Sequence, residues 1–211
     1  MGESPQEKTL SSMRKDTFLP LLVGFAIASF VTGVESFRVL VAGNYHNQDF
    51  DFNLLIFPII FYMTNMRFVI GNLLHITASE QNEGHSWASS WTVMIVQHTI
   101  LVVLGLFIYQ GSEFFFLPIL LILLVFDIIW VASMNIYKKI RHNESDWTPS
   151  IGWVVINSIS TGVILFLMYN PWVKPFSDFG YMILLSTFTV AAVADFVLTV
   201  KRHKKLFSKN S

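Results

Sequence analysis

The segment FYMTNMRFVIGNLLHI, residues 61–76, decides how the rest of the chain is interpreted. It is apolar enough to be buried, yet it carries Asn65, Arg67, Asn72 and His75. An arginine is tolerated in the middle of an apolar helix when neighbouring helices supply polar or acidic partners for it. The segment therefore predicts a helical bundle in which other helices contribute polar groups that face Arg67.

The amino-acid composition is typical of an integral membrane protein. Of its 211 residues, 53% are hydrophobic and 13% are charged, whereas a soluble domain carries about 25% charged residues. The net charge is zero, so we expect no nucleic-acid partner. There are no cysteines, which excludes disulfides, thiolate metal sites and a cysteine nucleophile. We expect an integral, multi-pass protein of a prokaryotic cell (inner) membrane, with the lipid bilayer as its main partner.

Six stretches approach the length of about 20 apolar residues that a membrane-spanning helix needs. The predicted spans are residues 18–41, 53–78, 91–110, 114–137, 149–170 and 180–200, flanked by an N-terminal tail, 1–17, and a basic tail, 201–211. The first span is the weakest, because Glu35 and Arg38 follow its apolar run. These two residues lie one helical turn apart and are expected to pair. The fold class predicted is thus an all-α bundle of six transmembrane helices with short loops.

The basic residues set the orientation of the predicted bundle. They concentrate before the first span, between the fourth and fifth, and after the sixth: Lys8, Arg14, Lys15, Lys138, Lys139, Arg141, Lys201, Arg202, Lys204, Lys205 and Lys209. Positive residues stay cytoplasmic, so both termini are expected inside the cell. Aromatic residues are expected at the membrane boundaries. The inner set is Trp87, Trp91, Trp147 and Trp153, and the outer set is Tyr109, Tyr169, Trp172 and Tyr181.

Polar residues on five of the spans fall at one predicted depth. At 1.5 Å per residue, Arg67 and Asp127 lie about 20 Å below the outer edge of their spans, and Asp195 about 22 Å. His98 lies about 10 Å above the inner edge and Asn157 about 12 Å. In a hydrocarbon core about 30 Å thick, all five can share a layer in the inner half of the membrane.

Small and polar residues recur at helical spacing, which marks close helix contact. Each set forms a row along one face of its helix. The second span carries Thr64, Arg67, Phe68, Gly71, Asn72 and His75, and the first carries Gly24, Ala28, Thr32 and Glu35. The fifth carries Asn157 and Thr161 beside Ser158 and Gly162, and the sixth carries Thr187, Ala191, Ala194 and Asp195. We expect these lines to face inward and Phe, Leu, Ile and Val to face lipid. The same lines favour a homo-oligomer and packing within one chain equally.

Charge balance predicts the partners of Arg67. An isolated arginine at mid-bilayer costs about 2.5–3.5 kcal/mol on insertion scales, and an opposite charge offsets most of that cost. We therefore expect Arg67 to pair with Asp127, Asp195 or both. Such a pair either fixes helix register or forms part of a polar cavity reached from the cytosol.

The leading functional prediction is a transporter or channel that passes a small ion or proton through that cavity. Arg67 would balance charge or face an anion, the two aspartates would carry a cation or proton, and the histidines would line the cytosolic route. The predicted pathway residues are Arg67, Asp127, Asp195, His98, Asn157, His75 and Asn72. Pro58 and Pro118 would break their helices and free backbone groups for ions, or else lie in first turns, where proline is tolerated. We favour the first turns.

Two other functions remain open at this point. His75 and His98 lie on adjacent spans and could ligate a b-type haem from two sides. A sensor or effector, such as a host-defence membrane protein, would act with a cytosolic partner at loops 79–90 and 138–147. An enzyme is less favoured, because the sequence lacks the HExxH zinc motif, paired histidine boxes and a Gly-x-Ser-x-Gly elbow. We predict no catalytic residue and no metal site.

Overall fold

The computed structural model describes residues 19–44, 55–79, 87–109, 113–142, 148–173 and 177–208. Within these residues the chain forms six α-helices and confirms the all-helical prediction. They are α1 (Leu19–Asn44), α2 (Ile56–Ser79), α3 (Trp87–Tyr109), α4 (Glu113–His142), α5 (Thr148–Tyr169) and α6 (Asp178–Ser208). Side chains at several helix ends lie outside the description, including those of residues 73–79, 137–142 and 201–208.

Four of these helices are long and apolar enough to cross a membrane, judged by length and composition. The stretches are Pro20–Gly43, Phe114–Ile136, Ile151–Tyr169 and Asp178–Val200. The described apolar stretch of α3 is shorter, Thr92–Ile108, and α2, which carries Arg67, is not among the four. Large apolar side chains cover the outside of the bundle, for example Ile129 and Val190. These helices indicate an integral membrane protein.

The helices pack into a closed ring. Helix α1 contacts α2 and α3, α3 contacts α4, α4 contacts α5, α5 contacts α6, and α6 returns to α2. Helix α2 also contacts α3. The ring of Phe61 on α2 marks the junction with α1 and α3, because a Cβ at Gly33 would overlap it and a Cβ at Gly105 would lie 3.2 Å from it. Glycine at these two positions therefore lets the three helices approach closely.

The apolar core occupies one end of the bundle. It is built from the first halves of α2, α4 and α6 and the second halves of α3 and α5, and includes Phe61, Leu104, Leu120, Leu167 and Phe188. All five are completely buried. The polar residues of the same helices lie further along α2, α4 and α6 and earlier along α3 and α5. The bundle thus has an apolar half and a polar half, as the depth calculation predicted.

The prediction of which faces point inward was wrong for α1. Gly24, Ala28 and Glu35 are exposed. The buried line on this helix instead includes Ser29 and Ser36, and Ser29 donates a 3.1 Å hydrogen bond to Asn65 of α2. Small size alone did not distinguish the inner face, because small residues also fit on an outer surface. On α5 the Ser158 and Gly162 line is also exposed, whereas Asn157 is buried.

Three further local predictions can be compared with the structure. Glu35 and Arg38 form the expected pair, with Arg38 donating bonds of 2.6 Å and 3.1 Å to the carboxylate. Pro118 does not lie in a first turn, because α4 begins five residues earlier, at Glu113. Tyr181, predicted at the outer membrane boundary, lies in the first turn of α6 but points into the bundle: it is only 4% exposed and its ring packs edge-on against Phe57.

Candidate functional site

An ion pair joins α2 to α6 in the polar half of the bundle. Arg67 Nε donates to Asp195 Oδ2, and the two side chains are only 3% and 5% exposed. Arg67 is held at this point by a long apolar helix whose neighbouring turns pack in the core. The charge-balance argument from the sequence therefore identified a correct partner, Asp195.

Asn157 of α5 connects this ion pair to the second aspartate. Arg67 Nη2 donates to Asn157 Oδ1 at 2.8 Å, and Asn157 Nδ2 donates to Asp127 Oδ2 at 2.6 Å. The amide thus presents its acceptor to the cation and its donor to the anion, which is the orientation that both charges favour. Asp127 is linked to Arg67 through Asn157.

Asp127 of α4 accepts hydrogen bonds from three side chains. Besides Asn157, the donors are Trp153 Nε1 and Gln97 Nε2, the latter at 2.7 Å. Gln97 in turn accepts a 3.1 Å bond from Asn72 of α2. The polar network therefore consists of Asn72, Arg67, Gln97, Asp127, Trp153, Asn157 and Asp195, and it joins five of the six described helices. Five of the seven predicted pathway residues belong to it: Arg67, Asn72, Asp127, Asn157 and Asp195.

Trp153 has a role in the network that the sequence interpretation did not predict. It was assigned to the inner membrane boundary, but its indole donates to Asp127 and its ring lies 5.7 Å from the guanidinium carbon of Arg67. The same ring lies against α2, where a Cβ at Gly71 would come within 2.6 Å of it. Its position four residues before Asn157, on the same helical face, was the signal that could have identified it.

The histidines are not brought into the network by any described contact. His98 is completely buried, but its Nδ1 lies 2.8 Å from the carbonyl oxygen of Met94 and its ring faces Phe25 of α1. Successive residues of a helix point about 100° apart, so Gln97 rather than His98 reaches Asp127. The side chain of His75 lies outside the described residues. The pair of His75 and His98 that was considered for haem ligation is therefore not described.

Two atoms of the ion pair lack hydrogen-bond partners among the described residues. They are Arg67 Nη1, a donor, and Asp195 Oδ1, an acceptor, and both are shielded from solvent. Both residues also line a groove of 340 Å³ on the outside of the bundle, between α2 and α6. Its other lining residues are Tyr62, Met63, Met66, Ile70, Trp153, Ala192, Phe196 and Thr199.

The charges of the network do not cancel. Its described side chains include two carboxyl groups, on Asp127 and Asp195, and one guanidinium, on Arg67. If all three groups were ionised, the network would carry a net charge of −1 inside the helical bundle. An uncompensated buried charge is strongly disfavoured, so one proton or one monovalent cation is needed to balance it.

Comparison with known proteins adds no family to this description. The chain matches no protein-family model, and no match was found among curated proteins or solved structures.

Proposed function

We propose that the chain crosses a prokaryotic cell membrane six times, with both termini in the cytoplasm. The six described helices and their apolar outer faces support the number of spans. The clustering of lysine and arginine on one predicted side supports the orientation. No side chain of the two loops proposed for a cytosolic partner, 79–90 and 138–147, is among those that the structure describes. We also propose a homo-oligomer, in which rows of small residues on exposed helix faces allow two copies of the chain to pack closely.

We further propose that the protein passes a small cation, most simply a proton, and that the polar network is its binding site. The observation that carries this proposal is the charge count of one guanidinium against two buried carboxyl groups. A network with this balance gains a proton or cation to become neutral and returns to −1 on release. Asp127, with three neutral donors around it, and Asp195, with one unpartnered oxygen, are the two candidate carriers.

The position of the network suggests from which side the ion enters. The apolar core fills the half of the bundle that the predicted topology places outside. The polar network therefore exchanges ions with the cytosolic side in this conformation, and passage to the other side requires the core to rearrange. Alternating access of this kind is the usual mode of transporters whose site lies inside the membrane.

A flux assay in proteoliposomes tests the proposal. Vesicles with an inside-negative potential and an internal pH dye should acidify faster with the wild-type chain than without it. Asp127→Asn and Asp195→Asn should each lose this flux, while Asp178→Asn, at an exposed aspartate of α6, should retain it. The same vesicles with a sodium or potassium gradient distinguish a proton from a metal cation. Full flux in both network variants, with native folding, would contradict the carrier role.

A further inference from the structure

Gln97 connects a buried aspartate of the polar network to the one amide of the network that is not buried. Its Nε2 donates to Asp127 Oδ1 at 2.7 Å, and its Oε1 accepts from Asn72 Nδ2 at 3.1 Å. Gln97 is only 1% exposed, whereas Asn72 is half-buried. Asn72 also follows Arg67 along α2, which places it on the cytosolic side of the network in the proposed topology.

The hydrogen bonds around Asp127 match its ionised form. All three neighbouring side chains, Gln97, Trp153 and Asn157, present an N–H group to the carboxylate. A carboxylate accepts all three bonds, but a protonated carboxyl group is itself a donor and needs an acceptor for its hydrogen. A proton bound to Asp127 in this arrangement would meet only N–H groups, and a buried donor without a partner is disfavoured.

Only one of the three neighbours is able to turn an acceptor toward the aspartate. The indole of Trp153 has a donor and no acceptor. The oxygen of Asn157 accepts a 2.8 Å bond from Arg67 Nη2, so turning that amide would set its NH₂ group against the guanidinium. The oxygen of Gln97 is held only by the neutral amide of Asn72. The terminal torsion of glutamine is roughly two-fold, so its amide can turn over within the same space.

We propose that Gln97 is a positioning residue that turns its side-chain amide when Asp127 takes up a proton, an inference that rests on the proposed proton transport. The proton binds Oδ1, the oxygen that faces Gln97, and the new O–H donates to Gln97 Oε1. Oδ2 keeps its bonds from Trp153 and Asn157. Gln97 Nε2 then faces Asn72, whose own amide turns to accept from it. Release of the proton reverses both turns, so the orientation of Gln97 follows the protonation of Asp127.

Infrared difference spectroscopy of the full-length chain follows both groups in one experiment. The side-chain carbonyls of glutamine carry a heavy carbon isotope, and the pH is raised from mildly acidic to alkaline in a buffer without alkali cations. Loss of the proton removes the carbonyl band of the protonated carboxyl group. At the same midpoint we expect a labelled glutamine band to move to higher wavenumber. The reason is that Gln97 exchanges a short bond from an O–H group for a longer one from the N–H of Asn72.

Three variants assign these bands. Gln97→Leu should abolish the moving glutamine band, which identifies it among the five glutamines of the chain. Thr99→Val, at an exposed position of α3 whose hydroxyl bonds only to its own helix, is the matched control and should keep the band. Asp127→Asn should abolish both the carboxyl band and the glutamine shift.

Asn72→Leu gives a second test that leaves Gln97 itself unchanged. It removes the donor that holds the Gln97 oxygen after proton release, so the glutamine shift should be larger than in the wild-type chain. A carboxyl band that titrates while every labelled glutamine band stays fixed would overturn the role of Gln97 and leave the proposed transport intact. Both spectral changes in a chain that carries no proton flux in vesicles would support the role of Gln97 and remove only the proposed function. A spectrum without any titrating carboxyl band would overturn both.

Discussion

Replacing Arg67 and Asp195 by leucine, singly and together, tests how the buried ion pair contributes to stability. Arg67→Leu leaves two buried carboxyl groups with no cation beside them, and Asp195→Leu leaves Arg67 without its direct partner, balanced only through Asn157 by Asp127. Removing one partner of a buried ion pair costs about 3–5 kcal/mol. The double change removes both charges of the pair and leaves the oxygen of Asn157 without its donor, which costs about 1–3 kcal/mol. Asp127 then remains as a buried carboxyl group that needs one proton or cation, the same requirement as in the wild-type network. We therefore expect the double variant to be more stable than either single variant.

The free energy of unfolding is measured by titrating sodium dodecyl sulfate into mixed micelles and following the loss of helix by circular dichroism. The exposed pair of Glu35 and Arg38, whose side chains are 57% and 74% exposed, provides the control cycle. Its coupling should be much smaller, because surrounding solvent screens it. If the losses for Arg67→Leu and Asp195→Leu add within about 0.5 kcal/mol in the double variant, the two residues are not coupled and the reasoning fails.

Two further substitutions test the packing around the network by the same unfolding measurement. Trp153→Phe keeps an aromatic side chain, with a smaller ring, but removes the donor to Asp127 and should destabilise the chain by about 1.5–3 kcal/mol. Trp172→Phe, at a residue that is 87% exposed, should have little effect. Gly71→Ala forces a methyl group against the Trp153 ring and should cost about 1–3 kcal/mol. Gly162→Ala, which meets nothing within 4 Å, should instead stabilise its helix by up to about 1 kcal/mol. Equal effects within either matched pair would contradict the packing described.

The sequence predicted the features of this structure that depend on the length of the apolar segments and on the charged residues within them. Helix type and approximate position follow from apolar runs, because lipid leaves few alternatives to a helix. The ion pair could be predicted from the free-energy cost of an unpaired arginine in the bilayer. Arg67 needs an anionic partner, and the chain offers few acidic residues within its apolar segments. The division into an apolar and a polar half followed from residue depth alone.

The sequence did not predict features that depend on rotation about a helix axis. His98 and Gln97 are neighbours, and only the packing of α1 against α3 decides which of them faces Asp127. Trp153 belongs to a residue type that also favours membrane boundaries, so its hydrogen-bonding role had no unique signal. Small residues such as Gly24 occur on outer faces as well, which explains the wrong face predicted for α1.

The central claim, that the network holds one balancing proton or cation, is tested most directly by infrared spectroscopy of its carboxyl groups. In a buffer without alkali cations, we predict the carbonyl stretch of one protonated carboxyl at neutral pH, and its loss or shift in Asp127→Asn or Asp195→Asn. A wild-type spectrum with every carboxyl ionised under these conditions would contradict the claim.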